Sequence, residues 1–151
     1  MTEYAATIDT ENEEMMKALV VEKSSTMRSV LRRILSMRGF EVTEAGDVKG
    51  ALDALNSMGS SDVAMVQWNA HDFGTLELVA GLRNKPPHKT TIIMMAEAEP
   101  GIRELQQTLM VGADDYLVKP FTSLQIDEKL EQAGLTQQMG GLADRQGLSC
   151  R

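Results

Sequence analysis

The chain has 151 residues, of which 42% are apolar and 4% aromatic, and a formal net charge of −7. That apolar share fills one core, so a single domain with short tails is expected. The charge argues against non-specific nucleic-acid binding, since phosphates demand Lys and Arg; no apolar run approaches the roughly 20 residues that span a bilayer.

Residues 1–16 read as an acidic, flexible tail. Glu3, Asp9, Glu11, Glu13 and Glu14 occur there without Lys or Arg before position 17, unlike the basic start of a secretory signal. Cys150 is the single cysteine, so no internal disulfide is possible and a reducing cytoplasm is the expected setting.

Ala18 to Val21 is a short apolar run, suited to a buried parallel strand. Met27, Val30, Leu31, Ile34 and Leu35 then fall at helical spacing. Ser24 or Ser25 can cap this helix and Gly39 can stop it. Arg28, Arg32, Arg33 and Arg38 read as its solvated face, with a docking patch for an acidic partner as the minor alternative. Phe40 and Val42 alternate with Glu41 and Thr43, which predicts an edge-like second strand. Asp47 can cap a helix carrying Val48, Ala51, Leu52 and Leu55 that ends near Gly59.

Val63 to Gln67 is the third strand. A helix with Leu78, Val79 and Leu82 follows, broken by Pro86 and Pro87. Thr91 to Met95 is the fourth strand. Pro100 suits the first turn of a helix carrying Ile102, Leu105 and Leu109, with Gly112 past its end. Asp115 to Val118 is the fifth strand. Thr122 or Ser123 can cap the last helix, whose Leu124, Leu130 and Ala133 are expected to face inward. Residues 135–151 turn to Gln and Gly and read as a flexible C-terminal tail.

The alternation is (βα)5, so a parallel sheet covered by helices on both faces is expected. Such sheets hold their sites at the carboxyl ends of the strands, beside the switch in strand order. Those ends carry Glu22 and Lys23, Gln67, Met95 and Lys119.

Three stretches then carry a resemblance. They are Ala18-Leu19-Val20-Val21-Glu22-Lys23-Ser24, Asp62-Val63-Ala64-Met65-Val66-Gln67-Trp68-Asn69, and Gly112-Ala113-Asp114-Asp115-Tyr116-Leu117-Val118-Lys119-Pro120-Phe121-Thr122. Together they resemble the receiver domain of two-component response regulators over about residues 17–134. The resemblance implies a flavodoxin-like α/β fold, a doubly wound parallel sheet with strand order 2-1-3-4-5.

It also implies roles, and several residues depart from them. The aspartate that accepts a phosphoryl group in this family is Gln67 here, and a carboxamide cannot form an acyl phosphate. Two acids normally follow the first strand, the second helping to hold magnesium; here they are Glu22 and Lys23. Asn69 matches a position that offers its backbone carbonyl to the metal. A switching hydroxyl residue is replaced by Met95, which reads as core. Ala70-His71 stands where the family commonly has Met-Pro, and His71 reads as a solvated loop residue. Lys119 matches the lysine that contacts the phosphoryl group, before a bond to Pro120 that is usually cis.

Glu22, Lys23 and Lys119 give this pocket a formal charge of +1, against −2 for a working receiver pocket. No metal or cofactor is therefore expected. Lys119 should pair with Glu22. Lys23 either pairs with Glu22 in place of the metal or swings into solvent.

These residues imply a degenerate, or pseudo-, receiver: a non-enzymatic signalling module. It would bind a kinase, an output protein, another regulator or a second copy of itself, and neither nucleic acid nor membrane. The resemblance points to the fourth helix, fifth strand and fifth helix as the partner face, including Glu104, Gln107, Tyr116 and Glu128. Tyr116 matches the family's rotameric aromatic, and a half-buried strand tyrosine is expected. The alternative is a flavodoxin-like binder of a small molecule or anion, using Ser24, Ser25 and Thr26 at a helix start. That loop lacks glycine, and few aromatics exist to sandwich a flavin ring.

Overall fold

The computed structural model describes residues 15–68, 73–84, 89–97 and 101–135. Most of both tails, Cys150, Asn69, His71 and Pro86, Pro87 and Pro100 lie outside these described residues. Strand β1 (Met16–Val21), helix α1 (Ser25–Met37), β2 (Phe40–Ala45) and α2 (Val48–Met58) come first. Then follow β3 (Val63–Gln67), α3 (Phe73–Asn84), β4 (Thr91–Ala96), α4 (Ile102–Met110), β5 (Asp115–Val118) and α5 (Ser123–Gln132). All neighbouring strands pair in parallel, in the order β2-β1-β3-β4-β5. This is the doubly wound, flavodoxin-like arrangement expected from the sequence.

The pleat explains the apolar runs. Successive strand residues point to opposite faces, so a strand covered on both sides must be apolar throughout. Ala18, Val20, Met65, Ile93 and Met95 join one core, with Leu31 and Leu35 of α1 and Ile126 and Leu130 of α5. Leu19, Val21, Ala64, Val66, Ile92 and Met94 join the other, with Leu55 of α2 and Leu78, Val79 and Leu82 of α3. A fully buried leucine contributes roughly 2 kcal/mol of transfer free energy.

Caps set the helix starts. Ser24 accepts from the Met27 N–H at 3.2 Å, and Asp47 accepts from the Gly50 N–H at 2.7 Å. Thr122 and Gln125 form a reciprocal capping box. Gly112 after α4 has φ 116°, and an added Cβ would lie 3.1 Å from the Arg83 side chain. Arg83 donates to the Gly112 carbonyl at 2.7 Å, so both backbone and space demand glycine.

Four expectations need correction. The first strand starts at Met16, which is buried and paired with Phe40, so the tail ends earlier than residue 16. Val30 and Leu52 are 44% and 38% exposed, at the edges of their helices' apolar stripes. On α5, Leu124 is 64% exposed and Ala133 is exposed, while Ile126 is fully buried. With Leu130 fixed inward, the residue four earlier shares its face and the one six earlier does not. Finally, the arginines are not simply solvated. Arg28 and Arg32 pair with Glu44 on β2, and Arg38 pairs with Asp127 on α5. Arg33 is exposed. No helix among the described residues is long and apolar enough to cross a membrane.

Candidate functional site

The strand order reverses at β1, between β2 and β3, and the carboxyl end of that crevice is where such sheets build sites. Glu22, one residue past β1, is 1% exposed. Its N–H donates to the Ala45 carbonyl at 3.0 Å, so β1 and β2 fix the backbone. Both carboxylate oxygens are engaged. Oε1 meets the Lys119 Nζ at 2.7 Å, and Oε2 accepts from the Ser24 N–H at 3.0 Å. A buried carboxylate needs this complete satisfaction.

Lys119 follows β5, held by its N–H on the Ala96 carbonyl at 2.7 Å. Its bond to Pro120 is cis, as the resemblance implied. The expected Glu22–Lys119 pair is therefore present. A second carboxylate joins it: Glu97 Oε2 lies 3.3 Å from the Lys119 Nζ.

Gln67 ends β3 beside Met95 of β4. Its Oε1 accepts from the backbone N–H of Lys23 at 2.9 Å, so the carboxamide links β3 to the loop after β1. The Lys23 side chain is exposed, and its ammonium forms no ion pair among the described residues. Of the two courses open to it, pairing with Glu22 is the one not taken, because Lys119 and Ser24 occupy both oxygens. Arg28 closes the loop from α1, donating to the Glu22 carbonyl at 2.7 Å and the Lys23 carbonyl at 3.2 Å. Met95 is fully buried in the first core, as read from its type.

A cleft of about 420 Å³ opens at this edge, walled in part by Glu22, Lys23, Asp47, Gln67, Trp68, Thr75 and Glu97. Ser24, Ser25 and Thr26 are not among its walls, and the Ser24 hydroxyl is spent on the α1 cap. The expected +1 counted Glu22, Lys23 and Lys119 alone, and the edge holds more charges than these. Asp47 and Glu97 add two carboxylates to Glu22, Lys23 and Lys119, giving formally −1. Glu97 directly follows β4, so the carboxyl-end rule points to it as well as to Met95. Nothing in helical spacing marks Arg28 as a loop clamp.

On the other candidate surface, Tyr116 is half-buried and packs against the second core. Gln107 and Glu128 are exposed, while the Glu104 side chain lies outside the described residues. Leu109, Met110 and Leu124 are 50%, 85% and 64% exposed on α4 and α5.

Residues 18–131 match the family model of the response regulator receiver domain. The chemotaxis protein CheY1 of Helicobacter pylori is 38% identical over 117 residues, covering 77% of this chain and 94% of that protein. The chemotaxis protein CheY of Pseudomonas aeruginosa is 33% identical over 118 residues, covering 78% of this chain and 94% of that protein. Among solved structures, the chemotaxis protein CheY4 of Vibrio cholerae superposes with a TM-score of 0.70 at 29% identity. It covers 79% of this chain and 98% of that one. On these matches and this topology, the chain belongs to the response regulator receiver family.

Proposed function

We propose that this chain is a pseudo-receiver: a signalling module that acts by protein contact, without accepting a phosphoryl group and without turnover. The observation that carries the reading is Gln67. Its carboxamide is not a nucleophile of the kind covalent catalysis needs, and its oxygen is committed to the Lys23 N–H at 2.9 Å. Lys119, which would meet a phosphoryl group, is already neutralised by Glu22 at 2.7 Å. The relatives' description as chemotaxis proteins supports a two-component signalling role of that kind. A cytoplasmic domain from Met16 to about residue 134 with a tail on each side is part of the same reading.

The partner is a signalling protein such as a kinase, an output protein or another regulator, or a second copy of the chain. Leu109, Met110 and Leu124 support the α4–β5–α5 side as the contact face, because apolar side chains this exposed favour burial against a partner. Incubation with acetyl phosphate followed by intact mass should show no added phosphoryl group. An acid-labile adduct mapped to this pocket overturns the reading. Once a partner is in hand, Leu124→Glu, Gln107→Ala or Glu128→Lys should weaken the complex, and Gln67→Ala should leave it nearly unchanged. The opposite ranking would make the pocket the recognition site.

A further inference from the structure

Helix α1 is basic. Arg28, Arg32 and Arg33 lie within it, Arg38 caps it, and it holds no Asp or Glu. Two carboxylates answer these four cations: Glu44 serves both Arg28 and Arg32, and Asp127 serves Arg38. Over these six groups the formal balance is +2. Arg33 is exposed and forms no ion pair among the described residues. Val30 and Met37, 44% and 69% exposed, stand three residues before it and four after, so all three share one helix face. Leu31 and Leu35 hold another face of the same helix against the sheet.

A segment of complementary chemistry starts beside this face. Met16 pairs with Phe40, two residues past the Arg38 cap, so the chain enters β1 at the edge where α1 ends. Residues 1–14, which lie outside the described residues, carry Glu3, Asp9, Glu11, Glu13 and Glu14 and no Lys or Arg. Tyr4 and Ile8 are apolar members of the same stretch. Length permits the contact. The 13 residues of α1 run about 20 Å, and a stretch of 14 residues reaches up to about 50 Å. Tethering holds it at an effective concentration of about millimolar, so weak contacts suffice. A second copy of the chain brings a net charge of −7 against an equal one and is repelled.

We propose that residues 1–14 dock on the Val30, Arg33 and Met37 stripe of α1 in the same chain. Asp9, Glu11, Glu13 and Glu14 supply carboxylates to Arg33 and to Arg32, whose side chain is 52% exposed. Tyr4 and Ile8 supply the apolar side chains that cover Val30 and Met37. An acidic partner of α1 has to displace this segment, so the contact makes that face conditional. It does not depend on what the carboxyl edge binds.

A nitroxide on Thr7→Cys, in a Cys150→Ser background of the full isotope-labelled chain, reads the contact by nuclear magnetic resonance. The amide signals of Val30, Arg33 and Met37 should lose intensity. Those of Lys49 and Asp53 on α2, which packs on the other face of the sheet, should keep theirs. Arg33→Glu should restore most of the loss, and Arg33 has no ion pair to give up in the fold. Asp9→Asn, Glu11→Gln, Glu13→Gln and Glu14→Gln together should restore it as well, and they alter none of the described residues. Lys49→Glu, an equal change of charge at an exposed position of α2, should leave the loss in place. Salt at about 1 M, where charges are screened beyond about 3 Å, should diminish it. No loss at α1, equal loss on α1 and α2, or a loss that Arg33→Glu or the neutralised segment leaves unchanged overturns the proposal. So does a loss that appears when nitroxide-bearing chains are mixed with isotope-labelled chains lacking the nitroxide, because the segment then docks on a second copy.

Discussion

At the β5 side of the carboxyl edge, closure is electrostatic and buried. Glu22 is 1% exposed, and the Lys119 Nζ reaches it across the sheet at 2.7 Å. At the β1–β3 side, closure is neutral and runs through the main chain: Gln67 Oε1 takes the Lys23 N–H at 2.9 Å, while the Lys23 ammonium stays exposed. The first region is a buried ion pair. The second is a neutral hydrogen bond from a main-chain N–H to a carboxamide. The difference teaches that a carboxamide at the end of β3 can tie down the loop after β1 through one hydrogen bond to its main chain.

The largest expected effect breaks that contrast outright. Lys23→Asp together with Gln67→Asp removes a cation and adds two carboxylates where hard oxygen ligands suit magnesium. A millimolar-range magnesium response in Trp68 emission is expected from this double variant. The natural chain and Gln67→Asp alone should give none, because Glu22 already spends both oxygens. A magnesium response in the natural chain, absent with sodium chloride of equal ionic strength, would mean that Lys23 does not guard the site.

Next comes the buried pair. Glu22→Gln leaves the Lys119 ammonium, 12% exposed, without its close partner, and Glu97 at 3.3 Å is a weak substitute. Breaking such a pair from one side costs about 3 kcal/mol. Urea unfolding should show that loss at an unchanged slope. A loss below about 1 kcal/mol would show that the pair is solvated and that the two sides of the edge are alike.

The central strands were legible because they are buried on both faces, as at Val63–Gln67, which has the bounds read from the sequence; the half-buried edge strand Asp115–Val118 has its expected bounds too. So was the Glu22–Lys119 pair, once topology had brought both residues to one edge. Helix faces were harder. Leu124 and Ile126 are equally apolar, and the position of Leu130 in the folded helix decides between them. Glu97 and Asp47 escaped because the charge count followed a family's positions rather than the space at the edge. Arg28 escaped because its partners are backbone carbonyls, which leave no mark in side-chain pattern.

A smaller effect separates the two sides of the edge. Gln67→Ala removes one hydrogen bond to a main-chain N–H that water can reach, so about 1 kcal/mol is expected. Hydrogen exchange at the Lys23 amide should quicken with it, because the carboxamide is that amide's acceptor. An unchanged exchange rate would mean that Gln67 does not hold the loop.

The smallest effect tests the same link from its other end. Lys23→Ala keeps the N–H that Gln67 accepts from and removes an ammonium that is exposed and forms no ion pair among the described residues. Stability should therefore move by less than about 0.5 kcal/mol. The Lys23→Ala and Gln67→Ala effects should also add, since one removes a side chain in solvent and the other a backbone contact. If Lys23 held Glu22 electrostatically, Lys23→Ala would cost more and the cost would shrink as salt rises. A salt-dependent loss above about 1 kcal/mol would return Lys23 to the pocket and erase the contrast between a charged side and a neutral one.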